Sequence, residues 1–304
     1  MVGFMPRFCR TFTLVSGAMR IVIADFPLRL AAALAATFVL TAATVAAAQP
    51  VPPAEATPVP HRAVYRIGLA ESENRSGITG ADGRMVFEVA GNACDGYTMS
   101  QRLVVRLSAE EGADRLLDFR VSTFESGDGD LYRFISKSMM NDRVVESIQG
   151  TARRGGRGLE VRLQNPDEKI VNIAGTPLFP SQHLQALIAA ARSDQRFFSA
   201  SIYEGAGTGE NADTATAIIG TAQRDQKDGA LTKGRIRWPV SIAYFSKDYD
   251  DRQELGEETP VYQMKFLLYE NGVTRELIMD YGDYALFGTL ESITALERET
   301  CSKN

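Results

Sequence analysis

From position 61 onward, apolar and polar residues alternate with a period of two, in short runs broken by turn-forming residues. In "HRAVYRIGLA" (61–70), Ala63, Tyr65 and Ile67 fall on one side and Arg62, Val64 and Arg66 on the other, which is the pattern of a strand with one buried face. "GRMVFEVAG", "YTMSQRLVVRLS", "RLLDFRVSTFES", "DLYRFISKSMM", "RVVESIQGTARR", "GLEVRLQN" and "EKIVNIAG" follow in order, separated by "SGDGD", "MND" and "RRGGRG". Many short strands with short turns predict an antiparallel meander; strands alternating with crossover helices would need longer connections. The pattern resumes in "RFFSASIYEG", "ATAIIGTAQ", "RIRWPVSIAYFS" and the long run from Pro260 to Thr300. Within that run Glu270–Gly272 predicts a hairpin turn of type I′, because Asn-Gly supplies both positive-φ positions. Trp238 before Pro239 predicts a bend or an edge, since proline donates nothing to a strand ladder.

One segment breaks the alternation. In "PLFPSQHLQALIAAARSDQ", Leu184, Leu187, Ile188 and Ala191 stand at i, i+3, i+4 and i+7 and form one apolar stripe. The spacing predicts a helix over about 181–193, with Ser181 as N-cap and Arg192 favourable at its C-terminal end. The fold class is therefore mainly β with one substantial helix, in a single domain over 61–304.

The first 48 residues belong to a different kind of segment. Arg20 and Arg29 precede the apolar run "LRLAAALAATFVLTAATV", and Ala46-x-Ala48 offers a small-residue cleavage site, the layout of a secretory signal peptide. Met19 is then a plausible start. Residues 49–60, "QPVPPAEATPVP", read as an extended Pro-rich tether. Removing 1–48 leaves 29 basic and 37 acidic residues, a net charge of −8, which argues against nucleic-acid binding. The same charge disfavours broad adhesion to anionic lipid while leaving room for a local basic patch.

Candidate chemistry is sparse. A Ser/His/Asp triad needs a histidine, and the chain has two, His61 beside the tether and His183 in the first helical turn. Neither is accompanied by a nucleophile elbow, and His61 is expected at the surface. No C-x-x-C, H-x-H or H-E-x-x-H spacing marks a metal site. The acidic clusters "DGDLY" (128–132) and "KDYDDRQE" (247–254) lack the pattern of a calcium loop. Gly205, Gly207 and Gly209 in "EGAGTGEN" lack the Lys-Ser/Thr of a phosphate loop and read as a flexible hairpin tip. "RRGGRG" (153–158), the one dense basic spot, reads as a solvated basic tip, with docking to an anionic headgroup or partner as the other reading. No catalytic, cofactor or metal residues are assigned.

The cysteines say more. Cys9 leaves with the leader, so Cys94 in "GNACDGYTMS" and Cys301 in "ERETCSKN" remain as an even pair. In an oxidising compartment such a pair most often forms a disulfide; two free buried thiols are the other reading. A bond would tie the C-terminal tail to an early turn, and no neighbouring His or Lys activates either thiol.

"HRAVYRIGLAESENRSGITGADGRMVFEVAGNACDGYTMSQRLV", "FPSQHLQALIAAARSDQRFFSASIYEG", "WPVSIAYF", "PVYQMKFLLYENGVTRELIMDYGDYAL" and the final Cys301 resemble the EipB-type cell envelope integrity proteins of α-proteobacteria, across essentially all of 61–301. The resemblance implies a periplasmic protein folded as a spiralling, broken β-barrel with a helix packed on it, and a disulfide between Cys94 and Cys301. It implies a non-catalytic role in envelope integrity through contacts with envelope proteins, among them a tetratricopeptide-repeat periplasmic partner. The alternative it leaves open is a carrier or sensor of a lipid or lipoprotein-derived ligand held in the curved sheet.

Overall fold

The computed structural model describes residues 57–226, 229–246 and 259–301. The leader, most of the tether and the acidic run 247–254 lie outside the described residues. The first arm of the fold is β1 (His61–Ser72), β2 (Ile78–Asn92), β3 (Gly96–Ala109), β4 (Arg115–Glu125), β5 (Leu131–Met140), β6 (Arg143–Gly155), β7 (Gly158–Asn165) and β8 (Lys169–Ala174). Helix α1 (Pro180–Arg192) follows. The second arm is β9 (Phe197–Ile202), β10 (Asp213–Ile219), the short β11 (Gln223–Arg224), β12 (Ile236–Phe245), β13 (Tyr262–Tyr269), β14 (Thr274–Asp280) and β15 (Tyr284–Ala295).

All the strands join one antiparallel sheet in the order β8-β7-β6-β5-β4-β3-β2-β1-β15-β14-β13-β12-β10-β9, with β11 beside β12. The described strands start mid-sheet with β1, run outward to β8, cross through α1 to the opposite edge and return inward until β15 pairs with β1. His61 is opposite Ala295 and Ser72 is opposite Tyr284. The sheet is unclosed, since β8 and β9 do not pair with each other.

The meander and the single helix match the expectation from alternation. Along β4, Leu117, Phe119 and Val121 point inward, and along β12 Trp238, Val240, Ile242 and Tyr244 do the same. These residues, their counterparts on β1–β3 and β13–β15, and the helical stripe Leu184, Leu187, Ile188 and Ala191 form one core. A second cluster joins Tyr132, Phe134, Ile148, Leu159, Val161 and Leu163 of β5–β7 to Phe179 and Tyr203. Pro239 falls where β10 gives way to β11 as the neighbour of β12: the β10 ladder ends at Ile219–Val240 and the β11 ladder begins at Gln223–Arg237. There a missing N–H removes no ladder bond on that side.

Several local expectations are corrected. The N-cap of α1 is Phe179, in extended conformation, with Pro180 at the first helical position, so Ser181 lies inside the first turn. At 270–273 only Gly272 of the Asn-Gly pair has positive φ (84°), so the turn is not type I′. It closes instead by Tyr269 and Val273 across a three-residue loop, with Tyr269 N–H donating to the Val273 carbonyl at 2.9 Å. His61 is buried, its Nδ1 2.7 Å from the Val59 carbonyl oxygen. The last residues of the tether are also packed: Val59 is buried against Tyr269 and Val273, and its N–H donates to Asn271 at 2.9 Å. The glycine loop after β9 is no free tip. A Cβ on Gly205 would stand 2.4 Å from the Phe134 ring, and one on Gly209 2.9 Å from Leu163. In "RRGGRG", Arg153 and Arg157 are exposed but Arg154 is partly buried, its guanidinium 4.5 Å from the centre of the Phe179 ring.

Candidate functional site

The densest group of buried polar side chains lies where the N-terminus of α1 meets the end of β4. Phe179 has no oxygen to cap the helix, so its free N–H groups need a remote acceptor. Glu125 provides it. Inward positions on β4 recur every second residue, Leu117, Phe119, Val121 and Thr123, and the same alternation turns Glu125 into the interior. Its Oε1 accepts the Ser181 N–H at 2.6 Å, its Oε2 accepts the Ser181 hydroxyl, and the Gln182 N–H adds a further bond. Gln182 Oε1 in turn accepts the Phe179 N–H at 3.1 Å and Arg154 Nη2 at 2.8 Å. Arg154 also donates to the carbonyls of Gly129 and Pro177, fastening the β6–β7 hairpin to the helix entry.

Aromatic rings wall this network off. Tyr132 stacks on Phe179 with centroids 5.0 Å apart and meets Tyr203 edge-on at 6.1 Å, while its hydroxyl donates to the Glu204 carbonyl at 3.0 Å. Burial pushes the Glu125 carboxyl up to about 7 and the Glu204 carboxyl up to about 8. Burial likewise pulls His183 down to about 3, so its imidazole is neutral; Nε2 makes no hydrogen bond among the described residues and the ring packs beside Phe198 at 5.8 Å.

This arrangement anchors a helix. Ser181 is 2% exposed and its hydroxyl proton is directed at a carboxylate; a nucleophile needs a base and an open face. His61 and His183 are buried on separate elements, and neither faces the serine as a base. Glu125 escaped the motif search, and Arg154 and Glu204 were read there only as parts of solvated hairpin tips, because the network has no fixed spacing in sequence. The inward phase of β4 was the available signal for Glu125, as the phase Ala200, Ile202 was for Glu204.

A second tie lies at the end of β2, in the turn that leads into β3. Asn92 shapes the turn before β3, its Oδ1 accepting the N–H groups of Cys94 and Asp95, both at 2.8 Å. That turn presents Cys94 to Cys301, and the two are joined with their Cα atoms 5.5 Å apart. Asn92 also donates to the Glu299 carbonyl at 3.4 Å, so the tail is held on both sides of the sulfurs.

Fold and site together define an unclosed, barrel-like antiparallel sheet with one packed helix, whose entry is held by Glu125, Ser181, Gln182 and Arg154. The chain belongs to the EipB-like family, whose profile matches residues 53–297. It is 35% identical over 253 residues to the cell envelope integrity protein EipB of Brucella abortus (strain 2308), covering 81% of this chain and 88% of that protein. It also resembles the crystal structure of a beta-barrel-like protein of a domain of unknown function, DUF1849, from Brucella abortus. There the TM-score is 0.74 at 32% identity, over 80% of this chain and 100% of that one.

Proposed function

We propose that this protein is exported to the periplasm and supports cell-envelope integrity without catalysing a reaction, through contacts with envelope proteins. The family and its named relative support the envelope role. One observation carries the contact reading. Phe197 on β9 and Ile218 on β10 stand directly opposite each other and are 63% and 64% exposed. Paired large apolar groups on an outer sheet face fit a protein partner. A tetratricopeptide-repeat protein is the partner class to try first. The alternative, a lipid-like ligand inside the curved sheet, is less favoured because the inner face is filled by large side chains, among them Tyr65, Met85, Phe119 and Leu187.

The test is complementation of a strain lacking the gene, challenged with detergent. The full chain restores growth, residues 49–304 made without the leader do not, and F197S/I218S folds but loses its crosslinked envelope partner. Rescue by the leaderless chain overturns export. Wild-type crosslinking by F197S/I218S overturns the contact reading.

A further inference from the structure

Cross-strand register places cations against one another on the outer face of β3–β5. Arg102 is directly opposite Arg120, and Arg120 is directly opposite Lys137. Like charges directly opposite on a sheet are destabilising, so three in a row need a reason. A single carboxylate sits among them. Asp118 grips Arg102 (3.1 and 2.8 Å) and Arg120 (3.1 and 2.7 Å) through Nε and Nη2 of each. Those bonds, led by the one from Arg120, hold its carboxyl down at about 2. Each guanidinium spends two of its five N–H groups on Asp118 and has no further partner among the described residues, with the two side chains 54% and 48% exposed. Lys137 has no carboxylate partner among the described residues. The result is a rigid pair of guanidinium forks beside a free ammonium, on a chain whose net charge is −5.

The surroundings decide what such a face would take. Along the same side of β5, Ile135 precedes Lys137 and Met139 follows it, with Val144 of β6 opposite Met139. Ile135, Val144 and Val145 are 45%, 53% and 54% exposed. An acidic protein or a soluble polyanion would use the cations and leave these aliphatic groups idle. A bilayer surface uses both: phosphate headgroups take the guanidinium forks while aliphatic side chains enter the interface.

We infer that the outer face of β3–β6 is a docking surface for anionic lipid headgroups, with Arg102, Arg120 and Lys137 meeting phosphate and Ile135 and Val144 entering the interface. The contact is peripheral and lies on the side of the sheet opposite the filled core. It is independent of the protein partner proposed above, which uses β9–β10.

Flotation with phosphatidylglycerol-containing vesicles, against pure phosphatidylcholine vesicles, tests it directly. The wild-type chain floats with the anionic vesicles and is released by salt. R120Q/K137Q, which leaves the Arg102–Asp118 pair in place, lowers that partition about 30-fold, and K137Q alone about fivefold, at the usual gain per basic residue near an anionic surface. I135S/V144S weakens binding with charge unchanged. Inorganic phosphate does not compete at concentrations where salt of equal ionic strength is without effect. Equal binding to both vesicle types, or full binding by a folded R120Q/K137Q, overturns the proposal. Displacement by polyglutamate together with full binding by I135S/V144S overturns it in favour of an acidic polypeptide.

Discussion

The two arms of the sheet use the same hairpin logic and finish differently. The outward arm, β1–β8, adds each strand to the one before it and ends on β8, whose outer edge is unpaired and exposed. The inward arm starts at β9, where Leu178 bridges Ile202 in parallel and α1 crosses behind it. Neighbour pairing builds the first arm. The second must first be set down at the right place, 125 residues (197 − 72) past the end of the strand it finally joins. The ties that do this are non-local: Glu125 to Ser181, the glycine loop on Phe134, Cys94 to Cys301, and β15 on β1. A meander specifies its order cheaply, whereas its return path needs dedicated anchors.

Breaking those anchors in turn separates the arms experimentally. Cys94→Ser has the largest expected effect: releasing a 207-residue loop removes up to about 5 kcal/mol. Thermal unfolding measures this, and a free-thiol count of two in protein folded under oxidising conditions would remove its premise. Glu125→Ala strands the Ser181 hydroxyl and the first N–H groups of α1, for a loss of about 2–4 kcal/mol, while Glu125→Gln, which keeps an acceptor, loses less. Equal losses in the two variants would show that the cap contributes little. Gly205→Val combines a positive φ of 67° with a Cβ driven into Phe134, a cost of about 1–3 kcal/mol read as a lower denaturant midpoint with unchanged slope.

The pH dependence sharpens the same comparison. The folded carboxyls of Glu125 and Glu204 titrate at about 7 and about 8, above the unfolded 4.5. The folded state therefore holds these protons more tightly. Their contribution is present in full below 4.5 and is lost as pH rises through about 7 and 8. Melting temperature should fall across that window, and E125Q/E204Q should flatten the profile. Asp118, on the same strand as Glu125 but on its outer face, has the opposite sign: its stabilisation is present above 3.8 and is lost as pH falls through about 2. The smallest effect belongs to Ile218→Ser, which should change stability by no more than about 0.5 kcal/mol and register in partner recovery alone.

The strands were legible because period-two alternation is a local signal. β1 begins at His61, β7 spans Gly158–Asn165 and α1 falls within a residue of its predicted bounds. What escaped is what depends on distant neighbours. Nothing near Phe179 says that its missing cap arrives from β4. The glycines of 204–211 look free until Phe134 and Leu163 are set beside them. His61 reads as a surface residue because the tether ahead of it reads as polar and extended, yet Val59 docks on Tyr269 and covers it. The polar site was thus half visible: strand phase turned Glu125 inward, and only the fold supplied its partner.

The pairing of β1 with β15 also sets an order of events. Among the described strands β1 is made first and β15 last, so β1 keeps one side unpaired until β15 has been made. An open edge flanked by a long wait invites pairing with other chains. The positions facing that edge include Arg62 and Arg66, whose charges discourage a stray strand from adding there before β15 arrives. The same topology brings the two ends of the domain together at mid-sheet. A permuted chain that joins them, opened in the exposed hairpin at 156–157, would make β1 and β15 neighbours in sequence and shorten that wait.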